Sequence, residues 1–315
     1  MFCVGDTEMK LTLRIAFAFV ILLLARPAAA QLGKIDFSKA TAKVIPLRGN
    51  VSVLQVRVED GYFNIGVLAG PDGYLLVDHP EAAAHALIQK TLDDLGKRPV
   101  RFLLNTHWHY DHVGGNEFYA PDAVIVAHEN VRKRLMTEQR PWWSPTPIGP
   151  YPERAWPRVT FRDSLAIHFA GEDVDLVYYG PAHTDGDAIV YFTHANVIQT
   201  GDVFHGHGNF AMGEDMPGLA RMLSAVADRT NDQTVVITGH GEMSNRREIR
   251  EYVELLNDAI AQVKQGIAAG KTDEQIQAQG LPEKWKIWPA ADNVPIIPQF
   301  LHLIFVSVTN KATSM

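Results

Sequence analysis

The sequence predicts an α/β protein built as a four-layer αββα sandwich, in which two packed β-sheets carry helices on their outer faces. The chain has 315 residues, of which 46% are hydrophobic and 21% charged, enough for a sizeable core and too apolar for disorder. Short β-rich segments fall into two series, each accompanied by helical segments, and no repeat or linker separates them. We therefore expect residues 31–315 to form one domain with a helical C-terminal region.

The first half of the chain predicts hairpins followed by an interior strand. Apolar, β-branched segments split by Gly, Asn and Asp predict strands at 44–47, 51–58, 62–68, 74–77 and 100–104. Residues 82–95 have helical spacing and end at Gly96, which is typical of a helix C-terminus. The segment 100–104 is almost continuously apolar, which favours an interior position in a sheet.

The second half repeats this alternation. The same patterns predict strands at 123–127, 165–169, 174–178, 188–192, 197–199 and 234–238. Helical spacing predicts helices at 129–139, 217–229 and 245–267. The segment 141–157 contains six prolines and four Trp or Tyr residues, which predicts a stiff irregular loop. Two interpretations of this loop stay open, a packed surface loop and an aromatic wall over a pocket.

The amino terminus has the pattern of a secretory signal peptide. Lys10 and Arg14 precede an apolar run at 15–25, and Ala28-Ala29-Ala30 supplies small residues for cleavage before Gln31. A membrane helix needs roughly 20 apolar residues, so we expect no stable membrane anchor. The segment 1–30 is therefore predicted to be removed, and the protein to be periplasmic or secreted.

Composition excludes several classes of function. The chain has 29 Lys and Arg against 36 Asp and Glu, a net charge of −7, which disfavours binding to nucleic acid. The single cysteine, Cys3, rules out an internal disulfide, a Cys-based zinc finger and an iron–sulfur cluster. Neither a phosphate-binding GxxxxGK[ST] loop nor a GxGxxG turn is present. We expect a small-molecule substrate, and the sequence predicts no oligomeric state.

The strongest chemical signal is a run of histidines after the strand at 100–104. His107, His109, Asp111 and His112 lie within six residues, too densely for all of them to be core side chains. Residues two apart on extended backbone point to one side, so His107 and His109 can share a metal, while Asp111 and His112 can face another. Imidazole and carboxylate suit zinc, iron or manganese.

Three further metal-binding residue types follow at intervals. His183, Asp202 and His240 each lie at a predicted strand end beside glycine, where the backbone can turn toward a shared site. The strings THWHYDHVGGN, GPAHTDGD, TGDVF and TGHGE, in this order, resemble the metallo-β-lactamase superfamily. The resemblance spans roughly residues 51–242 and implies an αββα sandwich of the metallo-β-lactamase type, with the site at the rim between the sheets.

This resemblance implies a ligand set for two zinc ions per chain. It places His107, His109 and His183 on the first metal, Asp111, His112 and His240 on the second, and Asp202 between them. A metal-bridging hydroxide would then attack a carbonyl, with Asp111 also orienting this nucleophile and moving its proton.

Four other residues receive secondary predictions. The resemblance implies that Asp78 accepts a hydrogen bond from a ligand imidazole, and that Asn209 contacts the substrate carbonyl unless it only serves a Gly-rich turn. His205 and His207 follow Asp202 on a loop that we expect to line the site.

The family resemblance is less specific for the substrate. Asp202 stands where cysteine-ligand β-lactamases carry Cys, and the Lys that those enzymes place three residues later is absent. The leading hypothesis is an exported zinc hydrolase that opens a cyclic amide or ester, as a β-lactamase does. One alternative is a lactonase or thioesterase resembling glyoxalase II, and another is a mononuclear iron oxidoreductase resembling a persulfide dioxygenase.

Overall fold

The computed structural model describes residues 36–313 apart from 60, 142, 145 and 290, so the predicted signal peptide at 1–30 lies outside the described residues. Within this part, two β-sheets with helices on both outer faces confirm the predicted sandwich. The first sheet consists of β1 (Thr41–Arg48), β2 (Val51–Val58), β3 (Gly61–Gly70), β4 (Gly73–Val77), β5 (Val100–Asn105), β6 (Val124–His128) and β7 (Val159–Phe161), hydrogen-bonded in this order. Strands β1 to β4 pair antiparallel, and β4 to β7 pair parallel.

The second sheet is built from the later part of the chain. Its strands are β8 (Ser164–Phe169), β9 (Glu172–Tyr178), β10 (Ala188–Phe192), β11 (Val197–Gln199), β12 (Val235–Ile237) and β13 (Ser244–Asn245), in the order β13-β12-β11-β10-β9-β8. Strands β11 and β12 pair parallel, and the other neighbours pair antiparallel.

The helices cover the outer faces of the sheets and flank the site. They are α1 (His85–Leu95), α2 (Tyr110–Val113), α3 (Asn116–Tyr119), α4 (Glu129–Leu135), α5 (Met216–Arg229), α6 (Arg246–Ala268), α7 (Asp273–Gln279) and α8 (Ile297–Thr313). Short 3-10 turns occupy 37–39, 82–84, 153–155, 201–203, 283–285 and 291–296. None of the described helices combines the length and the apolar character needed to cross a membrane.

Three apolar clusters separate the layers. Between the sheets, Leu75 and Leu104 of the first sheet join Leu176 and Val190 of the second in one buried cluster. Helix α1 packs on the outer face of the first sheet, and α5, α6 and α8 pack against the second. Both faces are buried along all of β4 and in the second half of β5, which explains the apolar residues there.

The predicted helix at 129–139 is wrong beyond Leu135, where α4 ends. The backbone of Gln139 instead pairs with Ile148 through two hydrogen bonds of 2.8 and 2.9 Å. The Gln139 side chain also donates to the carbonyl of Arg134, 3.0 Å away. Strands β7 and β13 were not predicted because three and two residues carry too little periodicity to detect.

The core assignment can be tested with a matched pair of leucine variants. Leu176 is fully buried between the sheets, so Leu176→Ala should lower the free energy of unfolding by about 3 kcal/mol. Leu95 is 44% exposed, and Leu95→Ala should change it by less than about 0.5 kcal/mol. Urea unfolding followed by circular dichroism measures both values. Equal losses in the two variants would contradict this packing.

Candidate metal centre

The first cluster of metal-binding side chains contains three histidines and one aspartate. One ligand atom from each of His107, His109, His183 and Asp202 lies within 4.8 Å of all the others. The turn after β5 brings His107 and His109 to the site, and the loop between β9 and β10 brings His183. His183 Nε2 lies 2.9 Å from His109 Nδ1 and 3.7 Å from Asp202 Oδ2.

The second cluster shares Asp202 with the first. It contains Asp111, His112, Asp202 and His240, with ligand atoms again within 4.8 Å of one another. His240 Nε2 lies 3.2 Å from Asp111 Oδ2 and 3.3 Å from Asp202 Oδ2. His112 Nε2 lies 3.2 Å from the other oxygen, Asp202 Oδ1. The Asp202 carboxylate thus stands between two groups, each of which could hold a metal ion.

The donor atoms of these residues fit a pair of metal ions. His107 Nε2 is buried and has no hydrogen-bond partner among the described residues. The outward nitrogens are engaged: His183 Nδ1 donates to the Met212 carbonyl, and His240 Nδ1 to the Tyr62 carbonyl. Such bonds fix the tautomer so that the lone pair of the opposite nitrogen faces the cluster, as in known metal sites.

Asp78 has the supporting contacts predicted for it. The residue follows β4 and is buried, and its Oδ2 lies 2.9 Å from His112 Nδ1. It also accepts hydrogen bonds of 2.7 Å from the backbone N–H and the hydroxyl of Thr106. Thr106 Oγ1 in turn lies 3.1 Å from His107 Nδ1. Asp78 therefore orients His112 directly and reaches His107 only through the Thr106 hydroxyl.

The two clusters differ in protonation. Burial, together with neighbouring histidines, lowers the pKa of His107 and His109 well below the usual value, and burial also lowers the pKa of His183. Burial acts in the same direction on His240, but Asp202 and Asp111 outweigh it and raise its pKa to about 10.

The pKa of His112 is raised in the same way. Burial opposes the shift, but Asp202 and the other nearby carboxylates outweigh it. The Asp111 carboxyl shows the reverse shift, because the nearby histidines overcome burial and lower its pKa to about 2. Without metal, the second cluster is a network of ion pairs, while the first presents neutral imidazoles.

The loop after Asp202 places its two extra histidines differently. His205 Nε2 is buried, lies 3.5 Å from Asp202 Oδ1, and belongs to neither ligand group. His207 is exposed, and its ring packs on Trp288 with centroids 4.4 Å apart. Only His205 therefore faces the clusters.

Asn209 has a structural contact within the same loop. Its side-chain amide donates to the carbonyls of His205 at 3.0 Å and His207 at 3.3 Å. These bonds support the turn interpretation, and its contact with a substrate carbonyl stays a prediction.

The sequence interpretation missed Asp187. This carboxylate is buried and accepts hydrogen bonds from the backbone N–H of Thr184 at 2.8 Å and from its hydroxyl at 2.6 Å. It thereby holds the turn that presents His183. The available signal was its position in the string GPAHTDGD, where an aspartate three residues after Thr184 can close a turn.

The Pro-rich loop reaches the first cluster. The Trp143 ring lies edge-on to the His109 ring, with centroids 4.8 Å apart and planes at 78°. The buried Trp108 ring also lies close to the His109 ring, with centroids 4.5 Å apart. The structure thus brings the loop at 141–157 into direct contact with a candidate ligand.

Curated relatives share limited sequence identity with the chain. A protein named 2,4-dinitroanisole O-demethylase subunit alpha, from Nocardioides sp. (strain JS1661), is 25% identical over 234 residues, covering 71% of this chain and 65% of that protein. This chain thus spans just under two thirds of that relative's length. A hydroxyacylglutathione hydrolase from Crocosphaera subtropica is 27% identical over 209 residues, covering 63% of this chain and 72% of that protein.

Solved structures share the fold. A metallo-β-lactamase from Pontibacter korlensis superposes with a TM-score of 0.54 at 17% identity, covering 69% of this chain and all of that one. One from Hirschia baltica gives 0.55 at 17% identity, covering 69% of this chain and 98% of that one. At such identity these likenesses show the fold and carry no substrate information.

The role of Asp78 can be tested by Asp78→Asn. Asparagine keeps the shape of the side chain and tolerates the backbone φ of +66° found there, but loses the charge that faces His112 Nδ1. Affinity for one of two bound metal ions should fall by about 10- to 100-fold, measured by titration against a competing chelator. Asp94→Asn, on the exposed surface of α1, should leave both affinities unchanged. If Asp78→Asn bound both metal ions as tightly as the wild type, Asp78 would have no role in orienting the ligand imidazoles.

The clusters should also load metal with different pH dependence. Because the pKa values of His112 and His240 are raised, a cation in the second cluster must displace protons, so its affinity should rise with pH. The three imidazoles of the first cluster are already neutral near pH 7, so this cluster should retain metal at lower pH. Elemental analysis after equilibration at about pH 6 and about pH 9, with proton release measured in weak buffer, tests this order. Metal binding to both clusters without proton release would contradict it.

The family match covers the whole of the candidate site. The sequence model of a family described as "Metallo-beta-lactamase superfamily" matches residues 59–240, more than half of the 315-residue chain. All seven residues of the two clusters lie in this span. The match, the order of the strands and the convergence of the two clusters lead to one conclusion: the chain belongs to the metallo-β-lactamase superfamily, whose members are typically metal-dependent hydrolases.

Proposed function

We propose that this chain is a zinc-dependent hydrolase that opens a cyclic amide or ester bond. The observation that carries the proposal is the position of Asp202, whose carboxylate belongs to both ligand groups. A shared carboxylate is the arrangement that holds two cations close together in dinuclear hydrolases. The predicted signal peptide extends the proposal to an exported enzyme, and N-terminal sequencing of the secreted protein, expected to begin at Gln31, tests that part.

The side chains of the site have separable tasks in this reaction. A pair of divalent cations, when bound, would polarise a carbonyl group and lower the pKa of water. His107, His109 and His183 offer neutral nitrogens without prior loss of a proton, because their pKa values are lowered. Asp111 stays ionised, and its side chain keeps 16% exposure, so its carboxylate can orient a water molecule and accept its proton.

A lactonase or thioesterase is the second candidate. The membership of Asp202 in both ligand groups favours it, since the resemblance links a bridging aspartate to glyoxalase II and lactonases. One relative is also named a hydroxyacylglutathione hydrolase. A mononuclear iron oxidoreductase is supported less well. Such an enzyme needs one ligand group, whereas Asp111, His112 and His240 complete a second one around Asp202.

A hydrolysis screen of the purified, zinc-loaded protein against β-lactams, lactones and thioesters tests the proposal. We expect turnover in one class, its loss with chelator, and about two zinc ions per chain. Asp202→Ala should release at least one metal ion and lower turnover by about a hundredfold or more, since each cation contributes several kcal/mol to transition-state stabilisation.

A surface variant provides the control for this loss. Asp228→Ala changes an exposed carboxylate on α5 and should retain full turnover and metal content. Full activity of Asp202→Ala, activity that resists chelator, or one iron ion per chain would each contradict a dinuclear zinc hydrolase.

A further inference from the structure

Two aromatic side chains, Trp143 and Tyr110, lie beside His109. The Trp143 ring contacts the His109 ring at a centroid distance of 4.8 Å and lies 5.7 Å from the Tyr110 ring, with planes tilted by 36°. Both residues are partly exposed. Tyr110 directly follows His109 in the chain, and these two rings, here called the aromatic rim, lie beside the first ligand cluster.

The loop that carries Trp143 is braced at both ends. Two backbone hydrogen bonds between Gln139 and Ile148 join the chain on either side of Trp143. The Gln139 side chain is buried and donates to the carbonyls of Arg134 at 3.0 Å and Thr137 at 3.1 Å. Trp143 is therefore held above His109 by a supported loop.

The far end of the loop is tied down independently. The backbone N–H of Tyr151 donates to the Leu135 carbonyl at 2.9 Å, and the Tyr151 carbonyl accepts from Trp156 Nε1 at 2.9 Å. The prolines within the loop further restrict its backbone. A rim fixed before binding costs little ordering entropy when a ligand packs on it.

We propose that the aromatic rim selects substrates that carry an aromatic ring next to the scissile bond. The proposal rests on the proposed hydrolysis, because the reacting bond must then sit at the ligand clusters. Trp143 contacts His109, one of the candidate ligands beside which that bond would lie, so a ring attached close to the bond can pack on the indole. Flat rings pack on an indole in offset or edge-on geometry, and each such pair favours binding beyond the area it buries.

Matched thioesters test this selectivity with the metal-loaded full-length protein and its variants. One pair varies the acyl group, the phenylacetyl and acetyl thioesters of N-acetylcysteamine, and another varies the leaving group, S-benzyl and S-ethyl thioacetate. Released thiol is detected with a chromogenic reagent, against a protein background limited to Cys3. Should the screen identify lactones or β-lactams instead, the same aromatic and aliphatic pairs are made in that class.

The wild-type protein should prefer the aromatic member of at least one pair by about tenfold in kcat/KM. Trp143→Ala should abolish this preference, because kcat/KM for the aromatic member should fall about tenfold more than kcat/KM for the aliphatic member. Trp143→Phe, which retains an aromatic ring, should keep most of the preference for the aromatic substrate. Phe118→Ala removes an exposed ring that stacks on His85, away from the clusters, and should keep the wild-type preference.

Binding of phenylacetate and acetate, measured by calorimetry, separates the rim from the proposed hydrolysis. Wild type should bind phenylacetate about tenfold more tightly than acetate, and Trp143→Ala should bind both equally. If no substrate class is turned over, the proposed function fails. The comparison of phenylacetate with acetate still tests whether the aromatic rim binds aromatic rings. The proposal would be overturned if the wild type showed equal kcat/KM and equal affinity for aromatic and aliphatic ligands. It would also be overturned if Trp143→Ala lowered these values equally for both; Trp143 would then only pack against His109.

Discussion

The site depends first on the buried carboxylate of Asp78. It accepts hydrogen bonds from the backbone N–H and the hydroxyl of Thr106, the first residue after β5. It also pairs with Nδ1 of His112, which lies in the short helix α2. Strands β4 and β5 are parallel neighbours, so Asp78 and Thr106 emerge at the same edge of the sheet. The positive φ of Asp78 turns its side chain back toward that edge at a cost in backbone strain, which three hydrogen bonds offset.

The second constraint is electrostatic. Five histidines and two aspartates are gathered in a largely buried space, where an uncompensated charge would be costly. Protons on His112 and His240 provide this compensation in the metal-free protein, because those two groups hold pKa values raised by Asp202 and Asp111. Divalent cations can replace those protons while keeping the carboxylates neutralised, so metal binding and stability of this edge are linked.

The sequence was most informative where chemistry is dense or where the backbone has little room. The string from His107 to His112 identified the site because few other roles accommodate so many imidazoles. Neighbouring glycines helped to identify His183, Asp202 and His240, because the backbone must approach the site closely there. A Cβ on Gly239, for example, would lie 2.0 Å from Asp202 Oδ1. Backbone pairing between residues far apart in the chain could not be predicted from the sequence. One example is the pairing of Gln139 with Ile148, which replaces the predicted last turn of α4.

Reaction and selectivity arise from different parts of this architecture. The ligand clusters lie at the ends of strands whose position is set by the two buried sheets, so the same donors can serve amide, ester or thioester cleavage. Loops form the surfaces that contact the part of a substrate away from the reacting bond. Their sequence can change without displacing the metal-binding side chains. In this chain a loop places Trp143 against His109, and another turns His205 inward to Asp202. The basis for substrate choice is therefore to be sought in these loops, since the candidate metal ligands are equally suited to several carbonyl compounds.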